Sequence, residues 1–126
     1  MELRREEISN GPVITGFAGR GFRLRDRVFD GGILIDPGGV TGWDAPARVA
    51  QLTIEMLRPI LDLEPRAEFL LLGTGPSLVR PSPAFTRAIE VLGLGVEAMD
   101  SRAAARAWGV LRQEDRQIVG ALLPHR

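Results

Sequence analysis

The chain contains no cysteine, no lysine and no tyrosine, and it has a single histidine, His125. Each absence removes a class of chemistry. Without cysteine there is no thiolate nucleophile, no iron–sulfur ligation and no disulfide framework. Without lysine there is no Schiff base and no phosphate-loop lysine. Histidine-based acid–base pairs and zinc sites would have to use His125, and a residue so close to the chain end reads as a frayed, solvated tail. Long apolar runs are missing too. Windows such as Phe69 to Leu72 are far too short to cross a bilayer. The N-terminal MELRREEIS mixes arginine with glutamate and has no apolar centre, so it reads as neither a secretory signal nor a transit peptide. The expectation is a cytoplasmic protein.

What is present is ordinary for a soluble protein of 126 residues: 44% hydrophobic, 25% charged, with 15 Gly and 9 Pro. That length predicts a single domain spanning 1–126 with a core of its own. Sixteen acidic side chains balance sixteen basic ones, all of them arginine, so no net field draws the chain to nucleic acid.

The two halves differ in period. Residues 11 to 43 alternate short apolar stretches with glycine, which predicts strands near Val13 to Phe17, Phe22 to Leu24, Val28 to Asp36 and Val40 to Trp43. Asp30-Gly31-Gly32 falls inside the third of these and predicts a bulge or tight bend there. From Leu52 onward helix and strand alternate. Thr53 can cap a short helix limited by Pro59. Glu68 to Leu72 reads as a buried strand, Val96 to Met99 and Gln117 to Leu123 as two more. Ser82 with Pro83 starts a helix that Gly93 stops, carrying Phe85, Ala88, Ile89 and Leu92 as its apolar stripe. Asp100 caps another, whose stripe is Ala104, Ala107, Trp108 and Leu111. The predicted class is mixed α/β: three layers, an antiparallel N-terminal meander joined to a parallel βαβαβ unit.

Gly73-Thr74-Gly75 stands where nucleotide-binding proteins hold phosphate, yet it fails their requirements. The third glycine of a dinucleotide fingerprint would fall on Leu78, and the Walker lysine does not exist in this chain. Two readings remain open. Gly73, Thr74, Gly75, Ser77, Arg80 and Asp100 lie at the C-terminal edge of the parallel strands, where open α/β sheets bind ligands, and would form an anion-binding or hydrolytic site. Alternatively the glycines serve the turn and Asp100 the helix cap, which is the favoured reading. Asp26, Asp30, Asp36 and Asp44 read as turn formers, with no spacing that pairs two of them for catalysis. Trp108 reads as core rather than a platform, and Arg102 with Arg106, one turn apart, as a solvated face or a protein-docking patch. No residue set points to a metal or a cofactor.

The segments FLLLGTG, RPSPAF, VEAMDSRAAARAWGVL and DRQIVGALLP, in that order, resemble the small α/β family that includes mitochondrial complex I assembly factor 3 and uncharacterised bacterial and archaeal members. The resemblance runs along essentially the whole chain and is most specific over residues 70 to 123. It implies a three-layer fold with a mixed sheet and carries over Gly73, Thr74, Gly75, Pro81, Met99, Asp100, Ala103, Ala104, Leu111 and Arg116 as motif positions. It implies no cofactor. Where members often show Thr-Tyr-Asn, this chain has Ala107, Trp108 and Gly109, which removes three polar groups and favours packing or docking over chemistry. The resemblance implies a non-enzymatic interaction module with respiratory-complex subunits or assembly factors as partners. Arg102, Arg106 and Trp108 are the candidate partner-binding residues; oligomeric state is left open.

Overall fold

The computed structural model describes residues 11–126. The MELRREEIS stretch lies outside the described residues. Strands β1 (Gly16–Ala18), β2 (Gly21–Leu24) and β3 (Arg27–Phe29) form a small antiparallel sheet. Strands β4 (Gly32–Asp36), β5 (Gly39–Trp43), β6 (Phe69–Gly73), β7 (Gly95–Met99) and β8 (Ile118–Leu122) form a larger mixed sheet in the order β5-β4-β8-β6-β7. In it β6 runs parallel to both β7 and β8, whereas β4 runs antiparallel to β5 and β8.

The N-terminal strands are antiparallel, as the sequence predicts, but they divide between the two sheets. The tight bend expected at Asp30-Gly31-Gly32 is present and splits Val28 to Asp36 in two: Phe29 pairs with Phe22 in the small sheet, and Ile33 pairs with Leu122 in the large one. Asp30-Gly31 is the bend at which the chain changes sheets. Apolar residues flank that bend on both sides, and the local pattern alone does not name the partner of either half. The β4–β5 turn follows expectation, with Gly38 N–H donating to Asp36 Oδ1 at 2.7 Å.

Three helices follow. Helix α1 is a single turn, Arg58–Leu61, with Pro59 in its first turn, after a tighter helical turn at Glu55–Leu57. Helix α2 (Pro83–Val91) starts where Ser82 Oγ accepts from Phe85 N–H at 3.1 Å. Helix α3 (Ser101–Gln113) starts where Asp100 Oδ1 accepts from Ala103 N–H at 2.9 Å. Both caps satisfy amides that the first helical turn leaves without partners.

Side chains alternate across the large sheet and divide the core in two. Leu34, Leu70, Leu72, Val119 and Ala121 face α1 and α2, packing on Leu57, Ile60, Phe85 and Ile89. Ile33, Ile35, Leu71, Ile118 and Leu122 face the other way, onto α3 and onto Phe22 and Leu24 of the small sheet. Burial on both faces is why these strands read as unbroken apolar runs. Among the described residues no helix is long and apolar enough to cross a membrane.

Candidate functional site

The Gly-Thr-Gly turn begins where β6 ends. A Cβ on Gly73 would stand 2.8 Å from Leu122 Cγ and 2.9 Å from Ser101 Oγ, so close packing of β8 and α3 requires glycine there. Thr74 is buried, and its backbone N–H donates to the Met99 carbonyl at 2.9 Å. Its hydroxyl donates to the Ser77 carbonyl at 2.7 Å and accepts from Val79 N–H at 3.1 Å, folding the following loop back over the strand end. Gly75 takes φ of +104°, which favours glycine, and donates to Ser101 Oγ at 2.8 Å. The Thr74 hydroxyl and the Thr74 and Gly75 amides of this turn are therefore engaged by the protein's own groups, backbone carbonyls and amide for Thr74 and the Ser101 hydroxyl for Gly75.

Strand β6 leads through α2 to β7 on one side, and the chain returns through α3 to β8 on the other. The crevice between β6 and β8 is thus a topological switch point, the place where open α/β sheets bind ligands. A cavity of about 680 Å³ opens there. Of the six residues assigned to this edge from sequence, Thr74, Gly75 and Ser77 line the cavity. Gly73 is sealed beneath it by Ser101 and Leu122. Asp100 is occupied as the α3 cap. Arg80 does not join them: Pro81 and Pro83 carry it to a separate depression beside α2 and β7, with Glu90 and Glu97. Ser101, which the sequence places with Asp100 at this edge, is fully buried and bonds the turn rather than the cavity.

The α3 residues separate. Trp108 is 0% exposed, and its Nε1–H donates to the Pro12 carbonyl at 2.9 Å, so it fills the core and offers no surface to a partner. Its half-buried neighbours Ala107 and Gly109 add no polar group. Arg106 is exposed. Arg102 is exposed as well but engaged, its guanidinium 5.0 Å from the centre of the Phe17 ring and its Nε 3.3 Å from His125 Nδ1.

His125 is not a frayed tail residue. It is 3% exposed, its backbone N–H donates to the Arg20 carbonyl at 2.9 Å, and Phe17 and Phe22 meet its ring edge-on at 5.0 and 5.8 Å between centroids. Burial, with Arg102 and Arg126 nearby, pushes its pKa below the ordinary histidine value. Its Nδ1 accepts the Arg102 hydrogen bond, which identifies the neutral ring.

Comparison with known proteins agrees with this architecture. Residues 14–123 match the family described as "Protein of unknown function (DUF498/DUF598)", and the chain belongs to that family. NADH dehydrogenase [ubiquinone] 1 alpha subcomplex assembly factor 3 of Danio rerio is 27% identical over 124 residues, covering 98% of this chain and 71% of the relative. An uncharacterised protein of Rhodobacter capsulatus is 29% identical over 124 residues, covering 98% of this chain and 94% of its own. A crystal structure of a Bordetella parapertussis protein superposes with a TM-score of 0.79 at 34% identity, covering 90% of this chain and 95% of that one.

Proposed function

We propose that this chain is a non-enzymatic protein-interaction module of the cytoplasm that serves the assembly of a respiratory NADH dehydrogenase complex. The observation that carries the proposal is the likeness to assembly factor 3, which extends over nearly all of this chain. The geometry is compatible with docking. Arg102, Arg106 and Val110 recur every four residues along the outside of α3 and so form one face, with Val110 57% exposed. Arginine beside an exposed aliphatic suits an acidic partner surface with an apolar spot, and arginine is enriched at such interfaces.

Affinity capture of the tagged protein from its own cells, followed by mass spectrometry, tests this. Subunits or assembly proteins of the dehydrogenase are expected to co-purify, and Arg106→Glu is expected to release them with the melting temperature unchanged. Arg102 is the poorer probe, because reversing it also disturbs Phe17 and His125. A capture that yields no dehydrogenase protein overturns the function. A capture that Arg106→Glu leaves intact overturns the docking face alone.

A further inference from the structure

Among the described residues, the charged side chains lining the cavity at the β6–β8 switch point are of one sign. Arg20, from the turn between β1 and β2, and Arg48, from the segment after β5, both line it, together with Arg126, and no described aspartate or glutamate does. In a chain with equal numbers of acidic and basic residues this bias is local, not compositional. Among the described residues neither Arg20 nor Arg48 forms an ion pair with a carboxylate. The remaining wall is chiefly small and apolar, including Pro46, Val49, Leu123 and Pro124. Its volume of about 680 Å³ falls within the ordinary range for small-molecule sites.

From this arrangement we infer that the crevice binds a small amphipathic anion, a carboxylate or phosphate carried on a short apolar body. Arg20 and Arg48 take the anionic group, since a planar guanidinium meets either headgroup with two parallel hydrogen bonds. Val49, Leu123 and Pro124 cover the apolar body. The Thr74 hydroxyl is not a ligand group, because Ser77 and Val79 already occupy it. What Thr74 contributes is rigidity: the loop that forms one wall is fixed before any ligand arrives, which lowers the ordering cost of binding. Among the described residues no aspartate, glutamate or histidine side chain lines the cavity to move a proton, and the role assigned is binding. A concave cleft of this volume favours a small molecule over a flat protein surface here.

This site is distinct from the α3 docking face and does not depend on the assembly reading. Octanoate, octyl phosphate, octanol and inorganic phosphate, titrated separately into the full chain and followed by calorimetry and amide NMR, test it. One of the two octyl anions is expected to bind and to shift the Gly75 and Ser77 amides, and the tighter of the two identifies the headgroup. The double variant Arg20→Glu/Arg48→Glu is expected to weaken that binding by about tenfold or more. Ala47→Trp, at an exposed position on the rim, is expected to block it without touching either arginine. Octanol binding as tightly as the anions would make the site merely apolar and overturn the inference. So would binding of neither octyl anion, or binding indifferent to the charge reversals. Loss of a captured protein partner in the double variant, with no anion bound by the native chain, would give the cavity to a protein and overturn the small-molecule assignment.

Discussion

Gly75 and Ser101 hold each other by two hydrogen bonds: the Gly75 N–H donates to Ser101 Oγ and the Ser101 N–H donates to the Gly75 carbonyl, each at 2.8 Å. Ser101 is the first residue of α3 and is fully buried, so this one pair fixes the turn after β6 to the helix that follows β7 in the chain. Ser101→Ala deletes a single oxygen and leaves the Gly75 N–H without an acceptor. Leaving a buried donor unmatched costs about 1–3 kcal/mol. Urea unfolding is expected to show a loss of that size with an unchanged slope. No loss would mean that water replaces the hydroxyl and that the pair does not hold the turn.

Gly73 tests the same junction by crowding it. A methyl there would meet Leu122 Cγ at 2.8 Å and Ser101 Oγ at 2.9 Å, distances that demand displacement of β8 or α3. Gly73→Ala is expected to destabilise by about 1–3 kcal/mol, the usual cost of overpacking. Retained stability, measured in the same urea experiment, would show that the junction yields and that glycine is not required for packing.

The sequence carries the C-terminal half well because its signals are local. Ser82 and Asp100 each bond the amide three residues on, and the leucines of β6 are apolar on both faces because both faces are covered. What it hides depends on contacts distant along the chain. Val28 to Asp36 reads as one strand, since nothing in its alternation says that Phe29 pairs with Phe22 while Ile33 pairs with Leu122. Arg80 reads as a neighbour of Ser77 because it is close in sequence, yet the proline-rich loop takes it elsewhere. His125 reads as tail because it stands near the chain end. However, β8 lies between β4 and β6 in the middle of the sheet, so the residues that follow it emerge under the turn between β1 and β2. The cavity has the same origin: Arg20 and Arg48 have no local mark, and only the folding of the first half over the C-terminal strand ends brings them to Ser77.

The Trp108 side chain lies wholly in the core beneath β4, β6 and β8. Trp108→Ala is expected to cost about 3–5 kcal/mol, through lost burial and a residual cavity. Trp108→Phe retains most of the packing but frees the Pro12 carbonyl from its 2.9 Å hydrogen bond, so its loss is expected to be smaller. Differential scanning calorimetry ranks the three proteins. A near-neutral alanine variant would contradict the packing described and return Trp108 to the list of interface residues.

His125 makes the fold sensitive to mild acid. Burial first, then Arg102 and Arg126, hold its pKa below the ordinary 6.5, while the carbonyls of Gly21 and Gly19 oppose the shift only in part. The unfolded chain therefore binds a proton more readily than the folded one. Below about pH 6.5 that difference favours unfolding, so the stabilisation is complete above this value and is lost as pH falls toward the depressed folded pKa. Glu68, its pKa lowered chiefly by the hydrogen bond from Arg116, has the same sign but acts only below its ordinary 4.5. The two windows are separate. The melting temperature is expected to decline between neutral pH and pH 5.5 in the native protein, and much less in His125→Gln, which cannot take up the proton. Geometry supplies the mechanism, since protonating Nδ1 replaces the acceptor of the Arg102 hydrogen bond with a second cation. Equal declines in the two proteins would place the acid sensitivity elsewhere, and a rise on acidification would reverse the sign of the shift.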